Sequence, residues 1–92
     1  MSERSETVEI TNQRGLHARA SAKFVNFVAA LPTGVKVEVE KDGNRVNGLS
    51  IMGLMMLAAG HGSKLKVSAA GAEAEKFLEE IEQLVANRFN ED

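Results

Sequence analysis

His17 and Arg19, two places apart, are the residues of this chain whose types could move a charged group. A neutral imidazole keeps one bare ring nitrogen that can act as a nucleophile. A guanidinium can make paired, charge-assisted hydrogen bonds to a phosphate. Both stand in Gly15-Leu16-His17-Ala18-Arg19-Ala20. From Ala18 to Leu31 the apolar residues Ala20, Phe24, Phe27, Val28 and Leu31 recur on one side of a 3.6-residue helix, with Arg19, Lys23 and Asn26 on a flank. The spacing therefore predicts His17 at or just before the first helical turn. Free N–H groups and the positive end of the helix dipole lie there, so a doubly charged phosphoryl group on the ring would be met by donors. The same field works against an imidazolium and favours the neutral, nucleophilic ring. Gly15 lets the chain turn tightly ahead of the helix.

A glycine two places before a histidine at a helix start is weak evidence on its own, because a histidine that merely caps the helix would look the same. Arg19 shifts the balance toward phosphate. Field and guanidinium together favour a bound phosphoryl group by only about 1–3 kcal/mol if the site is wet. A site of that strength suits onward transfer better than storage.

The elements that must position this pair come next. The chain has 92 residues, which is enough for one domain over residues 1–92 with one core. Its apolar content of 43 % and charged content of 26 % are ordinary for a globular protein. There is no Cys, which excludes disulfides and thiolate metal sites and agrees with a reducing compartment. No apolar run approaches the length of a bilayer span, and Met1 to Glu6 is too polar for a signal peptide, so we expect a cytoplasmic monomer without membrane insertion. A net charge of −2 with no Trp or Tyr argues against nucleic acid as a partner.

Thr7 to Thr11 alternates, with Val8 and Ile10 facing a core, and Asn12-Gln13-Arg14-Gly15 forms a loop into the site helix. Pro32 ends that helix and Pro32-Thr33-Gly34 turns the chain. Val35 to Val39 alternates again, Asp42-Gly43 signals a hairpin, and Arg45-Val46-Asn47 returns. Lys64 to Ser68 is a fourth strand with Leu65 and Val67 inward. Ala72 to Phe89 carries Ala74, Phe77, Leu78, Ile81, Leu84, Val85 and Phe89 on one face and acidic residues on the other, which predicts the main helical lid over the sheet. Met1 to Glu6 is expected to be disordered. Four short strands with helices on one face make a two-layer α/β sandwich.

One stretch, Gly48 to Gly60, is apolar all round. Ser50 can cap a short helix and Gly60 can end it; Leu54, Leu57 and Ala58 cluster on one side, with Met52, Met55 and Met56 largely opposite and Ile51 at the border. Such a helix is either fully buried, as a further layer of core, or presents one face to a partner. Periodicity does not choose between the two.

Other chemistry is excluded more simply. His61 lies in a glycine-bounded turn, Gly62-Ser63-Lys64 is not a phosphate-binding loop of the Walker type, and two distant histidines without Cys do not make a structural zinc site. No metal and no cofactor is expected.

With these residues in hand, the chain resembles the histidine-containing phosphocarrier (HPr) family of the bacterial phosphoenolpyruvate-dependent phosphotransferase system (PTS). The resemblance runs from about Thr7 to Phe89. It rests on Gly15-Leu16-His17-Ala18-Arg19 together with Val46-Asn47-Gly48-Leu49-Ser50-Ile51-Met52-Gly53-Leu54-Met55, in that order and spacing. It implies an α+β open-faced sandwich, βαββαβα, with an antiparallel sheet in order 1-4-2-3 and three helices on one face. It further implies that the chain is a phosphoryl carrier, not an enzyme. His17 would accept phosphate on Nδ1 from enzyme I and pass it to an enzyme IIA domain. Arg19 would assist the phosphoryl group, and the backbone N–H groups of Ala18 and Arg19 would be its donors. Ile51, Met52, Met55 and Met56 would form the patch that docks both partners. In some branches the serine matching Ser50 is phosphorylated by a dedicated ATP-dependent kinase (HPr kinase/phosphorylase), although a helix cap alone also explains a serine there.

The chain departs from the family at Ala20, where members commonly have proline. Alanine keeps the helix but gives up the preset φ of proline at its opening, a change of about 1 kcal/mol acting through the unfolded chain. Two other functions remain beside the carrier: a regulator from the nitrogen-related branch of the same system, and a small α/β binding module whose histidine is incidental.

Overall fold

The computed structural model describes residues 3–91. Four strands, β1 (Glu3–Glu9), β2 (Lys36–Lys41), β3 (Asn44–Asn47) and β4 (Lys64–Ala70), alternate with three helices, α1 (Ala18–Ala29), α2 (Ile51–Met56) and α3 (Ala74–Ala86). The strands form one antiparallel sheet in the order β1-β4-β2-β3. This is the open-faced α+β sandwich, βαββαβα, that the motif pair implied.

Alternation in the strands decides which face the helices cover. Val8, Val37, Val39, Leu65, Val67 and Ala69 are buried, and they meet Ala20, Phe24 and Val28 of α1, Leu54 of α2, and Ala74, Leu78, Ile81 and Val85 of α3. α3 packs on β1 and β4, while α1 packs on α2. The β2–β3 hairpin turns at Asp42-Gly43, with φ of 52° and 83°. Two successive positive φ values match the right-handed twist of the flanking strands, which is why an Asp-Gly pair serves here.

Strand ends shift by a few residues from the sequence-based expectation, and three differences matter for the site. The first is β1, which begins at Glu3, so residues 3–6 are not disordered; Met1 and Ser2 lie outside the described residues. Side-chain polarity was a poor guide there because a strand edge is held by its backbone. Glu3 pairs with Ala70 in the ladder, and the Glu3 carboxylate also accepts from the Arg45 guanidinium, which joins Glu38 as well. The second is α2, which is one and a half turns long and ends with Leu57 as its cap. The third is α3, which stops at Ala86 rather than Phe89.

Beyond α3 the chain does something its apolar stripe does not announce. Arg88, Phe89 and Asn90 form a tight turn with φ of 56°, 55° and 59°. Three successive left-handed residues without glycine cost roughly 1–2 kcal/mol each. Phe89 is fully buried, and Lys23 Nζ donates to its carbonyl at 2.6 Å, so core packing and an α1 side chain hold the turn. Its effect is to reverse the chain and place Glu91 beside His17.

Candidate functional site

His17 is the N-cap of α1. Its extended backbone (φ −73°, ψ −177°) lets the carbonyl accept the first helical bond from Ser21 N–H at 2.8 Å. Its Nδ1 accepts from the main-chain N–H of Arg19 at 3.2 Å. The spacing predicted this position at the helix start, and the ring points one nitrogen at it. The other nitrogen, Nε2, lies 2.8 Å from Glu91 Oε1. The ring is about one-fifth exposed (22 %) and so remains open to another molecule.

The loop beneath the ring is fixed at several points. Asn12 is fully buried; its Nδ2 donates to the Gly15 carbonyl at 2.7 Å and to Glu91 Oε1 at 3.0 Å. Ser21 Oγ donates to the Leu16 carbonyl at 3.1 Å. Leu16 N–H donates to the Ala59 carbonyl at 2.8 Å, tying the loop to the segment after α2. Gly15 has φ +67°, and a Cβ there would stand 2.5 Å from the Ala59 oxygen. Only glycine fits, for both reasons.

Electrostatics at the site run in two directions. The start of α1 presents positive potential on the Nδ1 side of the ring, and the Glu91 carboxylate lies on the Nε2 side. The hydrogen bond from His17 holds the Glu91 carboxyl below the usual carboxylate range; burial opposes this, and Asn12 and the charge of Arg19 add to it. Arg19 itself is exposed. Among the described residues its guanidinium forms no ion pair, and its charge acts on the Glu91 carboxylate.

α2 presents a different surface. Leu54 and Leu57 are buried, while Leu49 (54 %), Met52 (68 %) and Met56 (78 %) are the most exposed large apolar residues, joined by Ile51 and Met55. The further-layer-of-core alternative therefore fails for the methionines. Ala58 is also exposed, and Ala59 takes the inward place. Ser50 caps α2, its Oγ accepting from Gly53 N–H at 2.9 Å. No metal-binding group of three or more His, Asp or Glu occurs among the described residues, and none of their helices is long and apolar enough to cross a membrane.

Of the residues singled out in the sequence, His17 caps α1, Arg19 lies in its first turn, Ser50 caps α2 and the methionines are exposed. Sequence reasoning missed Asn12, read as plain loop, and Glu91, which lies 74 positions from its histidine partner. Leu49 was also missed as part of the exposed face.

The comparisons agree with this geometry. The family model described as "PTS HPr component phosphorylation site" matches residues 4–87. The chain is 41 % identical over 86 residues to the phosphocarrier protein HPr of Neisseria meningitidis, covering 94 % of each chain. It is 42 % identical over 84 residues to the HPr of Pseudomonas aeruginosa, covering 91 % of this chain and 92 % of that one. The crystal structure of HPr-C-His from Thermoanaerobacter tengcongensis superposes with a TM-score of 0.88 at 37 % identity, covering 97 % and 98 % of the two chains. Neither the nitrogen-branch regulator nor the incidental-histidine module is favoured by these matches. The chain belongs to the HPr family, the phosphocarrier proteins of the phosphotransferase system.

Proposed function

We propose that His17 is the residue that carries the phosphoryl group, accepting it on Nδ1 from phospho-enzyme I and giving it to an enzyme IIA domain in the cytoplasm. The observation that supports this reading is the direction of the ring. Nδ1 faces the start of α1 at 3.2 Å from Arg19 N–H, and Nε2 is engaged elsewhere. A phosphorus bonded to Nδ1 would take over the place of that lone pair, so Arg19 N–H and the neighbouring Ala18 N–H would meet phosphoryl oxygens instead. The Arg19 guanidinium would neutralise part of the charge in transit. Binding at so open a site is modest, which keeps the group transferable.

Leu49, Ile51, Met52, Met55 and Met56 would dock both partners. Flexible thioethers can repack against two different surfaces, as a carrier needs. Ser50 would be the target of a regulatory kinase such as HPr kinase/phosphorylase; phosphate there would sit at the foot of this apolar face and oppose docking.

Phosphoenolpyruvate labelled with ³²P and enzyme I test the assignment of the histidine. The expected product is one acid-labile, alkali-stable phosphate per chain, absent from His17→Ala. A label that persists in His17→Ala would overturn it.

A further inference from the structure

The chain offers an oxidant few targets, and those it offers stand together. It has no Cys, Trp or Tyr, and four Met. Three of the four, Met52, Met55 and Met56, lie on α2, and Met1 is outside the described residues. The buried apolar residues are all Ala, Val, Leu, Ile or Phe, so no described thioether is placed in the core. Met56 and Met52 are 78 % and 68 % exposed, and Met55 is 40 % exposed. Leu54 and Leu57 anchor α2 to the core from the opposite side.

We propose that Met56 and Met52, followed by Met55, form a reversible oxidation site through which a peroxide switches off docking at α2. This rests on the reading of α2 as the docking face. A thioether is apolar and adapts to different surfaces, whereas its sulfoxide is polar and carries an oxygen that accepts hydrogen bonds from water. A partner closing on that oxygen would strip its water without supplying a donor, and a buried polar group left unpaired opposes binding. The fold bears no such cost. The sulfurs face solvent, Leu54 keeps its inward place, and the Ser50 cap on Gly53 N–H involves no sulfur. Oxidation therefore acts on transfer and spares stability, which a methionine in the core would not allow.

The chemistry balances in both directions. A sulfur lone pair attacks one oxygen of hydrogen peroxide, the O–O bond breaks, and hydroxide leaves. The hydroxide takes the proton from the oxygen now bonded to sulfur, giving sulfoxide and water. Sulfur is oxidised by two electrons and the peroxide is reduced. In reversal a methionine sulfoxide reductase supplies a dithiol, which becomes a disulfide while the oxygen departs as water and the thioether returns. With no Cys of its own, the chain offers the peroxide no competing thiol.

The test treats the full chain alone with hydrogen peroxide, removes the oxidant, and then measures transfer from phospho-enzyme I. Peptide mass spectrometry locates the added oxygen. Met56 and Met52 should take it first, transfer should slow by about tenfold, and the far-UV spectrum should stay unchanged. Methionine sulfoxide reductases of both stereochemical types should restore the rate. A triple variant, Met52→Leu with Met55→Leu and Met56→Leu, nearly conserves volume and keeps Met1. Compared with its own untreated sample, it should be insensitive to peroxide. Complete oxidation of the three methionines at an unchanged rate would overturn the switch. If Met52→Glu still slowed transfer, the docking reading would survive that result; if it did not, the docking reading would fall as well. A slowing shared by the triple variant, or accompanied by loss of helical signal, would also overturn the switch, since oxygen would then act elsewhere or through the fold.

Discussion

Leu16 N–H and the Ala59 carbonyl are joined at 2.8 Å, and this single bond ties the loop carrying His17 to the segment that follows α2. His17 and the exposed apolar face are thus fixed relative to each other through backbone, while α1 and α2 pack side by side. A partner seated on α2, as proposed, would meet the ring in one geometry, which is what positioning for transfer demands.

Gly15 is the weak point of that arrangement. Gly15→Ala places a Cβ 2.5 Å from the Ala59 oxygen at a φ of +67°. The combined backbone and overpacking cost should be about 2–5 kcal/mol. Thermal unfolding should show a fall in Tm of roughly 10 °C or more. An unchanged Tm would mean that the loop is not held as described.

Met52→Glu probes docking. Met52 is exposed (68 %) and supports no core packing, so the variant should unfold within about 0.5 kcal/mol of wild type. Stopped-flow transfer from phospho-enzyme I should nonetheless be slower, because a charge would be buried against the partner. Unaltered transfer kinetics would remove this face from the docking surface.

Ser50 has a structural role that can be separated from modification. Ser50→Ala removes the acceptor for Gly53 N–H and should cost about 0.5–2 kcal/mol in denaturant unfolding. Ser50→Asp restores an acceptor, so it should regain that stability and yet transfer more slowly if negative charge at this place opposes docking. Recovery of both stability and transfer would limit Ser50 to a cap.

Acid should uncouple Glu91. Its carboxyl lies below the usual value in the folded chain, first because of the hydrogen bond from His17. A carboxyl depressed on folding adds stability that is present above its unfolded value, ordinarily about 4.3, and is lost as pH falls through the folded value. The Tm difference between wild type and Glu91→Gln should therefore be present at pH 6 and shrink below about pH 4. A difference constant down to pH 3 would contradict the ionised contact.

Local order was legible where side-chain pattern and backbone agreed. Val37 and Val39, the Asp42-Gly43 turn, and the stripe from Ala74 to Val85 each announced their element. Residues 3–6 did not, because ladder bonds and the Glu3–Arg45 pair depend on what lies alongside in space. The methionine face was undecided by periodicity, since burial is settled only when Leu54 and Leu57 take the inward positions. At the site, His17 and Arg19 were readable because their chemistry is local to one helix start. Glu91 was not. Its contact requires a reversal at Arg88, Phe89 and Asn90, and of these only Asn90 is a type that tolerates left-handed backbone well.

The central claim is that phosphorus bonds to the nitrogen of His17 that faces α1. Phosphorylation of ¹⁵N-histidine-labelled protein, followed by ³¹P–¹⁵N NMR, reads this atom directly. A one-bond coupling at Nδ1 of His17, with hydrogen retained on Nε2, is the result predicted. Coupling at Nε2, or at His61, would contradict the account.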